Sequence, residues 1–288
     1  MDKTCISVIT VCKNAEKSIE YTIKSVLDQD YAAYEYLIWD GLSDDSTVTI
    51  AERFSDYFTA KNIPFRIISE KDGGIYDAMN KAAEYADGER ILYLNAGDAL
   101  FDRNTLSKLA AEISERYDVI YGNAALSENG KYKLLKAKDG SMFKYTNPVC
   151  HQAALTKKEV IIKYPFEKNY AIAADFDQFL KIYLSNEQAL KKLDFTVCIF
   201  LLGGISGNEV LKRETEFNES RKKNGLKRVF LPHLQILENV LIDRIRRIAV
   251  RVLGPGFYSE RRGWYSDRYK AVRETEIHEE EDYRKSNE

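Results

Sequence analysis

Residues 70–98 read EKDGGIYDAMNKAAEYADGERILYLNAGD, and this stretch decides the fold. Its middle part repeats apolar side chains at helical spacing, which predicts an amphipathic helix closed by Gly88. The apolar positions are Ile75, Ala78, Met79, Ala82 and Ala86. Residues 91–94 then predict a short buried strand, which ends in the polar sequence NAGD at 95–98. Because α/β sheets bind ligands beyond the carboxyl ends of their strands, we expect a binding site here.

Strands and helices alternate through the first third of the chain. Apolar, β-branched runs predict buried strands at 5–11, 36–39 and 65–69, and helical patterns lie between them. This order predicts an α/β fold with a Rossmann-like, mostly parallel central sheet flanked by helices. Residues 119–121 predict a further strand, but the alternation weakens after residue 98, so we predict a mixed sheet in the second half.

Composition and charge exclude several classes of protein. The 288 residues contain 43 Lys and Arg against 45 Asp and Glu, so no overall positive charge would attract nucleic acid. No uncharged run reaches the roughly 20 residues that a membrane-spanning helix needs, and the first residues lack a signal-peptide pattern. We therefore expect a cytoplasmic protein with no nucleic-acid partner. The four cysteines form neither a CxxC pair nor a metal-binding spacing, which predicts free thiols in a reducing compartment.

A change of composition at residue 226 predicts a boundary between a domain at 1–225 and a C-terminal amphipathic helical extension with a polar tail at 226–288. Within 232–253, six apolar side chains share one helical face and three arginines lie opposite. Two hypotheses are open for this helix. It docks on an anionic membrane surface, on the inner face of the cell membrane. Alternatively, it packs on its own domain or on a second subunit of a homo-oligomer.

A series of motifs runs through the chain. They are ISVITVCKN at 6–14, WDGLSDDST at 39–47, the stretch at 70–98, PVCHQAAL at 148–155, AADFDQFLK at 173–181 and GGIS at 203–206. In this order they resemble the family 2 glycosyltransferases of the GT-A fold, within the branch that builds bacterial surface polysaccharides. The resemblance implies a nucleotide-binding half at 1–100 and an acceptor half at 101–225.

The resemblance also implies a reaction. A sugar would move, with inversion, from a nucleoside diphosphate sugar to a hydroxyl of a saccharide or lipid-linked acceptor. The expected nucleotide is UDP. The product would belong to a capsule, an O-antigen or an exopolysaccharide.

A divalent metal cofactor, Mn²⁺ or Mg²⁺, is implied because the leaving diphosphate carries negative charge. Asp98 is the candidate ligand. The D-x-D motif usual in the family is here NAGD, without the central acid, which leaves the strength and identity of metal binding open. The alternative is that Asp98 only caps its own turn or the helix that follows.

The resemblance assigns a set of residues near the strand ends to the donor. Asp40 would accept a hydrogen bond from the uracil ring, and the others would contact or shape the rest of the donor pocket. The set comprises Thr10, Val11, Asn14, Asp40, Lys71, Asp72, Asp77, Asn80, Asn95 and Ala96. Strand packing, a turn, a solvated surface or a helix cap are the structural alternatives.

Asp175 is the candidate general base, which would remove the proton of the acceptor hydroxyl as its oxygen attacks the anomeric carbon. Asp177 is the competing candidate, and either carboxylate could instead cap the helix that begins here. The resemblance places His151 and Gln152 beside the acceptor pocket, where they would contact substrate or Asp175. A lone histidine also has a purely structural interpretation, and no second histidine nearby suggests a zinc site.

Two other classes of function compete with glycosyl transfer. Another nucleotide-using α/β enzyme, a nucleotidyltransferase or a dehydrogenase, would carry a glycine-rich loop after the first strand. Residues 11–14 (VCKN) contain no glycine, which disfavours that class. A non-catalytic binding protein with a GT-A-like fold would lack Asp98 or Asp175. Both are present, although the incomplete D-x-D keeps this class open.

If the 232–253 helix binds membranes, anionic vesicles should retain the full chain and release a variant that ends before Pro232. Basic side chains near an anionic surface each contribute about 1 kcal/mol, so salt should weaken the binding. Co-sedimentation at low and high salt measures both effects. Equal binding of the two chains would remove the membrane hypothesis.

Overall fold

The computed structural model describes residues 5–128, 131–201 and 210–227. All of them belong to one compact unit, Met1–Val229, and a second unit covers Phe230–Glu288. The amphipathic helix predicted at 232–253, the polar tail and the GGIS motif therefore lie outside the described residues. Within the described ranges, every helix is too short or too polar to cross a bilayer.

The first half of the domain alternates strictly between strands and helices. Its elements are β1 (Ile6–Cys12), α1 (Ile19–Leu27), β2 (Tyr34–Asp40), α2 (Thr47–Glu52), α3 (Ser55–Ala60), β3 (Phe65–Ser69), α4 (Ile75–Tyr85) and β4 (Arg90–Tyr93). The four strands are parallel and lie in the order β3-β2-β1-β4. Their carboxyl ends therefore meet along one edge of the sheet, as the sequence predicts.

The second half continues the same sheet with mixed strand directions. Its elements are β5 (Ala99–Leu100), α5 (Thr105–Ala111), β6 (Val119–Glu128), β7 (Lys131–Leu135), β8 (Ala154–Lys157), α6 (Lys158–Lys163), α7 (Ala174–Ser185), β9 (Leu190–Leu201) and α8 (Val210–Lys223). Beyond β4 the order is β8-β6-β9-β5, with β7 paired to β6. The β4–β8 and β6–β8 pairs are antiparallel and the β6–β9 pair is parallel. The expectation of an α/β fold with a mixed second half is confirmed.

The central strands are buried on both faces, because successive side chains of a strand point to opposite sides. Ile6 and Val8 pack in one cluster with Ile23 of α1. Ile9 and Val11 pack in a second cluster with Met79 of α4. Helices on both faces of the sheet therefore explain why β1 reads as a continuous apolar run.

Two boundaries differ from the sequence-based expectation. Helix α4 ends at Tyr85, and Gly88 is instead the point where the chain passes close to the start of β1 before it enters β4. A Cβ atom on Gly88 would lie 2.6 Å from the backbone nitrogen of Ser7, so only glycine fits this close approach. The strand predicted at 119–121 extends to Glu128, because Asn123 marks a bulge in β6 and not its end.

Candidate functional site

A buried carboxylate lies where β2 ends. Asp40 has no exposed surface, and its oxygens accept hydrogen bonds from the Ser43 backbone N–H at 3.0 Å, the Ser69 hydroxyl at 2.6 Å and the Ser43 hydroxyl. Parallel pairing sets Cys12 opposite Asp40, and Asp40 opposite Ser69. The ends of three neighbouring strands therefore meet at this carboxylate.

Two other predicted donor residues come to the same edge. Asn14 accepts a hydrogen bond from the Asp44 backbone N–H at 3.0 Å, and its own backbone N–H donates to the Ser43 hydroxyl at 2.7 Å. A Cβ on Gly41 would lie 2.7 Å from Asp72 Oδ2, so the loops after β2 and β3 touch at these two residues. The structure thus brings Asn14, Asp40 and Asp72 together.

Lys71 and Ala96 flank this region. Lys71 is exposed and precedes Asp72, and its carbonyl accepts a hydrogen bond from the Lys81 ammonium group at 2.8 Å. Ala96 is partly buried and packs against the core cluster that contains Leu94. The placement of both residues is compatible with a site at the strand ends.

Four predicted donor residues have side chains that are engaged within the fold. The Thr10 hydroxyl donates to the Leu94 carbonyl at 2.7 Å, and Val11 is buried in the core. The Asn80 amide group pairs with both the backbone N–H and the carbonyl of Phe166. Asp77 caps the start of α4, as described next. These contacts agree with the structural alternatives for these residues, such as strand packing and a helix cap. A donor role for the four residues stays a prediction.

The Asp77 carboxylate accepts a hydrogen bond from the Gly73 backbone N–H at 2.8 Å and forms an ion pair with Lys168 at 3.0 Å. These two partners hold the pKa of Asp77 below its usual value. Gly74 has a φ of +116°, a conformation that glycine adopts without steric cost. The two glycines therefore form a turn that begins α4.

Asp98 lies in a tight turn after β4. Gly97 has a φ of +103°, and the Thr22 hydroxyl of α1 accepts from the Gly97 N–H and donates to the Asp98 carbonyl. The Asp98 side chain accepts hydrogen bonds from the Leu201 backbone N–H at 3.0 Å and from Gln152 Nε2 at 3.2 Å. Only 4% of the residue is exposed.

Burial raises the pKa of Asp98 to about 6, although the hydrogen bonds from Leu201 and Gln152 and the nearby His151 oppose the shift. The orientation of the Gln152 amide is fixed, because its oxygen accepts a hydrogen bond from the Cys150 thiol at 3.1 Å. The amide nitrogen therefore faces Asp98 as a donor.

All four cysteines of the chain are free thiols.

Asp175 lies in the first turn of α7 and contacts His151. Its Oδ2 atom lies 3.2 Å from His151 Nδ1, and its Oδ1 atom accepts a hydrogen bond from the Phe176 N–H at 2.7 Å. On the other side of the imidazole ring, Nε2 lies 3.3 Å from Asn95 Nδ2. Burial alone would lower the pKa of His151, but the hydrogen bond to Asp175 and its negative charge, with that of Asp98, raise it.

The orientation of the Asn95 amide is tied to the protonation of His151. When His151 is neutral with its proton on Nδ1, Nε2 accepts from Asn95 Nδ2, and Asn95 Oδ1 is buried without a hydrogen-bond partner in the described part of the chain. When His151 is protonated, a rotated amide would let Oδ1 accept from Nε2–H. The orientation of the Asn95 amide therefore depends on the charge of His151.

His151 and Gln152 are neighbours on one turn of 3₁₀-helix, His151–Ala153, which enters β8. Through them the structure brings two distant carboxylates, Asp98 and Asp175, into one site. The competing candidate Asp177 has no exposed surface, and it binds Lys181, Ser220 and Asn224. Its carboxylate is therefore committed to the packing of α7 and α8.

The oxygen atoms of this site fit a hard divalent cation. Asp98 offers a carboxylate with a lone pair remaining on each oxygen, and neutral His151 leaves Asn95 Oδ1 free. Within the described ranges there is no cluster of three or more His, Cys, Asp or Glu side chains that could hold a metal alone. Mg²⁺ commonly binds one or two carboxylates together with substrate phosphates, so a donor diphosphate would complete such a site.

Sequence reasoning did not single out three side chains that hold the site. Thr22 binds the backbone carbonyl of Asp98, and Ser43 and Ser69 bind the Asp40 carboxylate. Thr22 carried a readable signal, because it is a polar residue on the buried face of α1. Ser43 lay within the motif at 39–47, whereas Ser69 carried no signal, since serine is common in turns and at strand ends.

Comparison with known proteins settles the family. Residues 7–168 match the model of Glycosyl transferase family 2, which is more than half of the chain. The chain belongs to this family. The expected family, fold and glycosyltransferase activity are thereby confirmed.

Relatives of this glycosyltransferase include other bacterial glycosyltransferases. It is 28% identical over 215 residues to the PGL/p-HBAD biosynthesis glycosyltransferase of Mycobacterium tuberculosis. This match covers 72% of this chain and 81% of that protein. It is 26% identical over 239 residues to the UDP-Glc:alpha-D-GlcNAc-diphosphoundecaprenol beta-1,3-glucosyltransferase WfgD of Escherichia coli, over 80% of this chain and 91% of WfgD.

Among solved structures, the mannosyltransferase PcManGT from Pyrobaculum calidifontis, in complex with GDP-Man and Mn²⁺, superimposes with a TM-score of 0.60 at 17% identity. The match covers 76% of this chain and 63% of that structure. At this identity the similarity demonstrates the shared fold.

The raised pKa of Asp98 predicts a pH-dependent stability in metal-free buffer. Because the folded state binds this proton more tightly than an unfolded chain with a pKa of about 3.9, the stabilisation is present at low pH and is lost as pH rises through about 6. Relative to Asp98→Asn, the free energy of unfolding should fall by about 1 kcal/mol between about pH 5 and about pH 7. Urea denaturation measures this difference.

Asp77→Asn is the matched control, because the pKa of Asp77 is lowered and its titration lies below this pH window. His151 keeps its hydrogen-bond partner Asp175, which together with burial is the main influence on its pKa, in all three proteins. An identical pH dependence in wild type and Asp98→Asn would contradict the assignment.

Proposed function

We propose that this glycosyltransferase transfers a sugar from a UDP-sugar to a hydroxyl of a saccharide or lipid-linked acceptor in bacterial surface polysaccharide synthesis. The observation that carries the proposal is the convergence of Asp98 and Asp175 on one turn, at the edge where the strands of the nucleotide-binding half end. WfgD, whose name specifies a UDP-Glc donor and a diphosphoundecaprenol acceptor, supports the substrate classes.

Asp175 acts as the general base. Its side chain is mostly buried, with 14% exposed, and one oxygen is held by His151 while the other accepts the Phe176 N–H. In this arrangement the carboxylate takes the proton of the acceptor hydroxyl as that oxygen attacks the anomeric carbon from the face opposite the leaving diphosphate. A single displacement inverts the anomeric centre. His151 fixes the orientation of the carboxylate and, when protonated, compensates its charge.

Asp98 and Asn95 would hold the divalent cation, Mn²⁺ or Mg²⁺. Bound there, the cation would neutralise charge on the leaving diphosphate. Asp98 is suited to exchange its proton for the cation, because burial without a hydrogen-bonded cationic partner makes its free carboxylate costly. The Mn²⁺ in the PcManGT complex shows that the fold accommodates such an ion in that protein.

The nucleotide binds at the ends of β1 to β3, where Asn14, Asp40, Lys71 and Asp72 lie. The Asp40 carboxylate is held rigidly by three donors from Ser43 and Ser69. A preorganised acceptor of this kind suits the ring N–H of uracil, which cytosine lacks at the corresponding atom. Peripheral attachment to the membrane through residues 232–253 would bring this site to a lipid-linked acceptor.

A screen of nucleotide sugars by thermal shift should show stabilisation by one UDP-sugar, and the shift should depend on Mn²⁺ or Mg²⁺. A donor present at about 100 times its Kd stabilises a protein by about 2.7 kcal/mol. Asp98→Asn should lose the metal dependence and keep the fold. A metal-dependent shift with a guanosine donor and none with uridine donors would contradict the nucleotide assignment.

Replacing Asp175 by asparagine should lower kcat by about 10²-fold to 10⁴-fold, because the amide cannot accept the hydroxyl proton. Donor affinity in the presence of metal should change little. Asp177→Asn serves as the comparison, and its effect should appear in stability. Turnover of Asp175→Asn near the wild-type rate would show that another group is the base.

A further inference from the structure

A second helix holds the segment that leads into the general base. Glu216 lies on α8 and is 8% exposed. Its carboxylate accepts hydrogen bonds from three consecutive backbone N–H groups, those of Ala171 at 3.1 Å, Ile172 at 2.8 Å and Ala173 at 3.0 Å. These residues immediately precede α7, whose first turn carries Asp175.

Helix α4 holds the same segment, residues 171–173, through its other backbone group. The Tyr76 hydroxyl donates to the Ile172 carbonyl at 2.6 Å, while the Ile172 N–H donates to Glu216. The Tyr76 ring stacks on Phe166 at a centroid distance of 5.7 Å, which restrains the hydroxyl group. Both backbone groups of Ile172 are therefore bonded to side chains of other helices.

Helix α8 is itself anchored firmly to α7. The Ser220 hydroxyl donates to the buried carboxylate of Asp177 at 2.7 Å. Arg221 donates to the Phe143 carbonyl at 3.0 Å, and its guanidinium group lies 4.9 Å from the centre of the Phe176 ring. Glu216 consequently acts from a fixed support.

We propose that Glu216 is a positioning residue, which sets the place of the Asp175 carboxylate by holding residues 171–173. The proposal rests on the proposed role of Asp175 as the general base. A carboxylate that accepts several N–H groups forms strong, charge-assisted bonds. Without it, three backbone donors would lose their partner, and the segment would move to recover hydrogen bonds.

A small movement at this place has a large effect on rate. Asp175 follows Ala173 by two residues, so a shift of the segment displaces the base relative to the acceptor hydroxyl and to His151. Displacement of a catalytic group by about 1 Å can cost about 10²-fold in rate. Nucleotide binding depends on residues at the ends of β1 to β3, which do not contact residues 171–173 in the described part of the chain, and should not follow.

The test is Glu216→Gln, which keeps the shape of the side chain and removes its charge. We expect kcat to fall by about 10²-fold while the Kd of UDP, measured by calorimetry with Mn²⁺, stays unchanged. Hydrogen exchange at the amides of 171–173 should accelerate. Glu219→Gln is the matched control, because it makes the same change at an exposed position of the same helix.

A double-mutant cycle separates positioning from a general loss of stability. In an Asp175→Asn background, Glu216→Gln should cause no further loss in single-turnover rate, because the group that it positions is already disabled. Equal losses in both backgrounds, or a folded Glu216→Gln enzyme with wild-type kcat, would overturn the proposal. If Glu216→Gln does not fold, Tyr76→Phe removes the other bond to Ile172, and its result in the same cycle decides in the same way.

Failure of the base assignment gives a different result. If Asp175→Asn turns over normally, the role of Asp175 is wrong, whatever Glu216 does. Accelerated amide exchange in Glu216→Gln would then still show that Glu216 holds the segment.

Discussion

Two neighbouring side chains on one turn, His151 and Gln152, connect the carboxylates of Asp175 and Asp98, and the arrangement of the site depends on this connection. The turn enters β8, which pairs with β4 on one side and β6 on the other. It is therefore fixed where the parallel half of the sheet meets the mixed half. An antiparallel strand inserted at this point lets residues from the two halves of the chain face each other.

Buried carboxylates recur in this domain, and they differ in how their charge is compensated. Asp40 and Glu216 each accept at least three hydrogen bonds, and Asp177 has an ion pair with Lys181 in addition to its hydrogen bonds. Asp98 has two donors and the nearby His151, which leaves its pKa raised. Because a buried charge with few partners is costly, Asp98 is the carboxylate that gains most from a bound cation.

The elements of the first half were predictable because their signals are local. Strand β3 spans Phe65–Ser69, as its apolar run predicts, and the helix in the central stretch follows its periodicity. Asp98, His151 and Asp175 were found through motifs. The resemblance led us to expect a contact of His151 with substrate or with Asp175. The contacts of Gln152 with Asp98 and of Asn95 with His151 could not be predicted, because these pairs lie 54 and 56 positions apart and meet only through the sheet topology.

Other features have no distinct signal in the sequence. Glu216 looks like any charged side chain of a polar helix, and its burial arises from contact with a loop 44 positions away. Gly88 resembles a helix terminator, although its role is a close backbone approach to Ser7. In both cases a common local pattern takes part in a contact between distant parts of the chain. The pattern alone does not distinguish this contact from its ordinary local role.

The hydrogen bond from the Leu201 backbone to Asp98 couples main-chain geometry to the acidity of a side chain. Leu201 is the last residue of β9 and leads directly to the GGIS motif at 203–206. Any rearrangement that turns this N–H away would leave Asp98 with one donor fewer and make its proton harder to release. The position of one backbone N–H, at the end of β9, therefore contributes to the charge available at the strand edge.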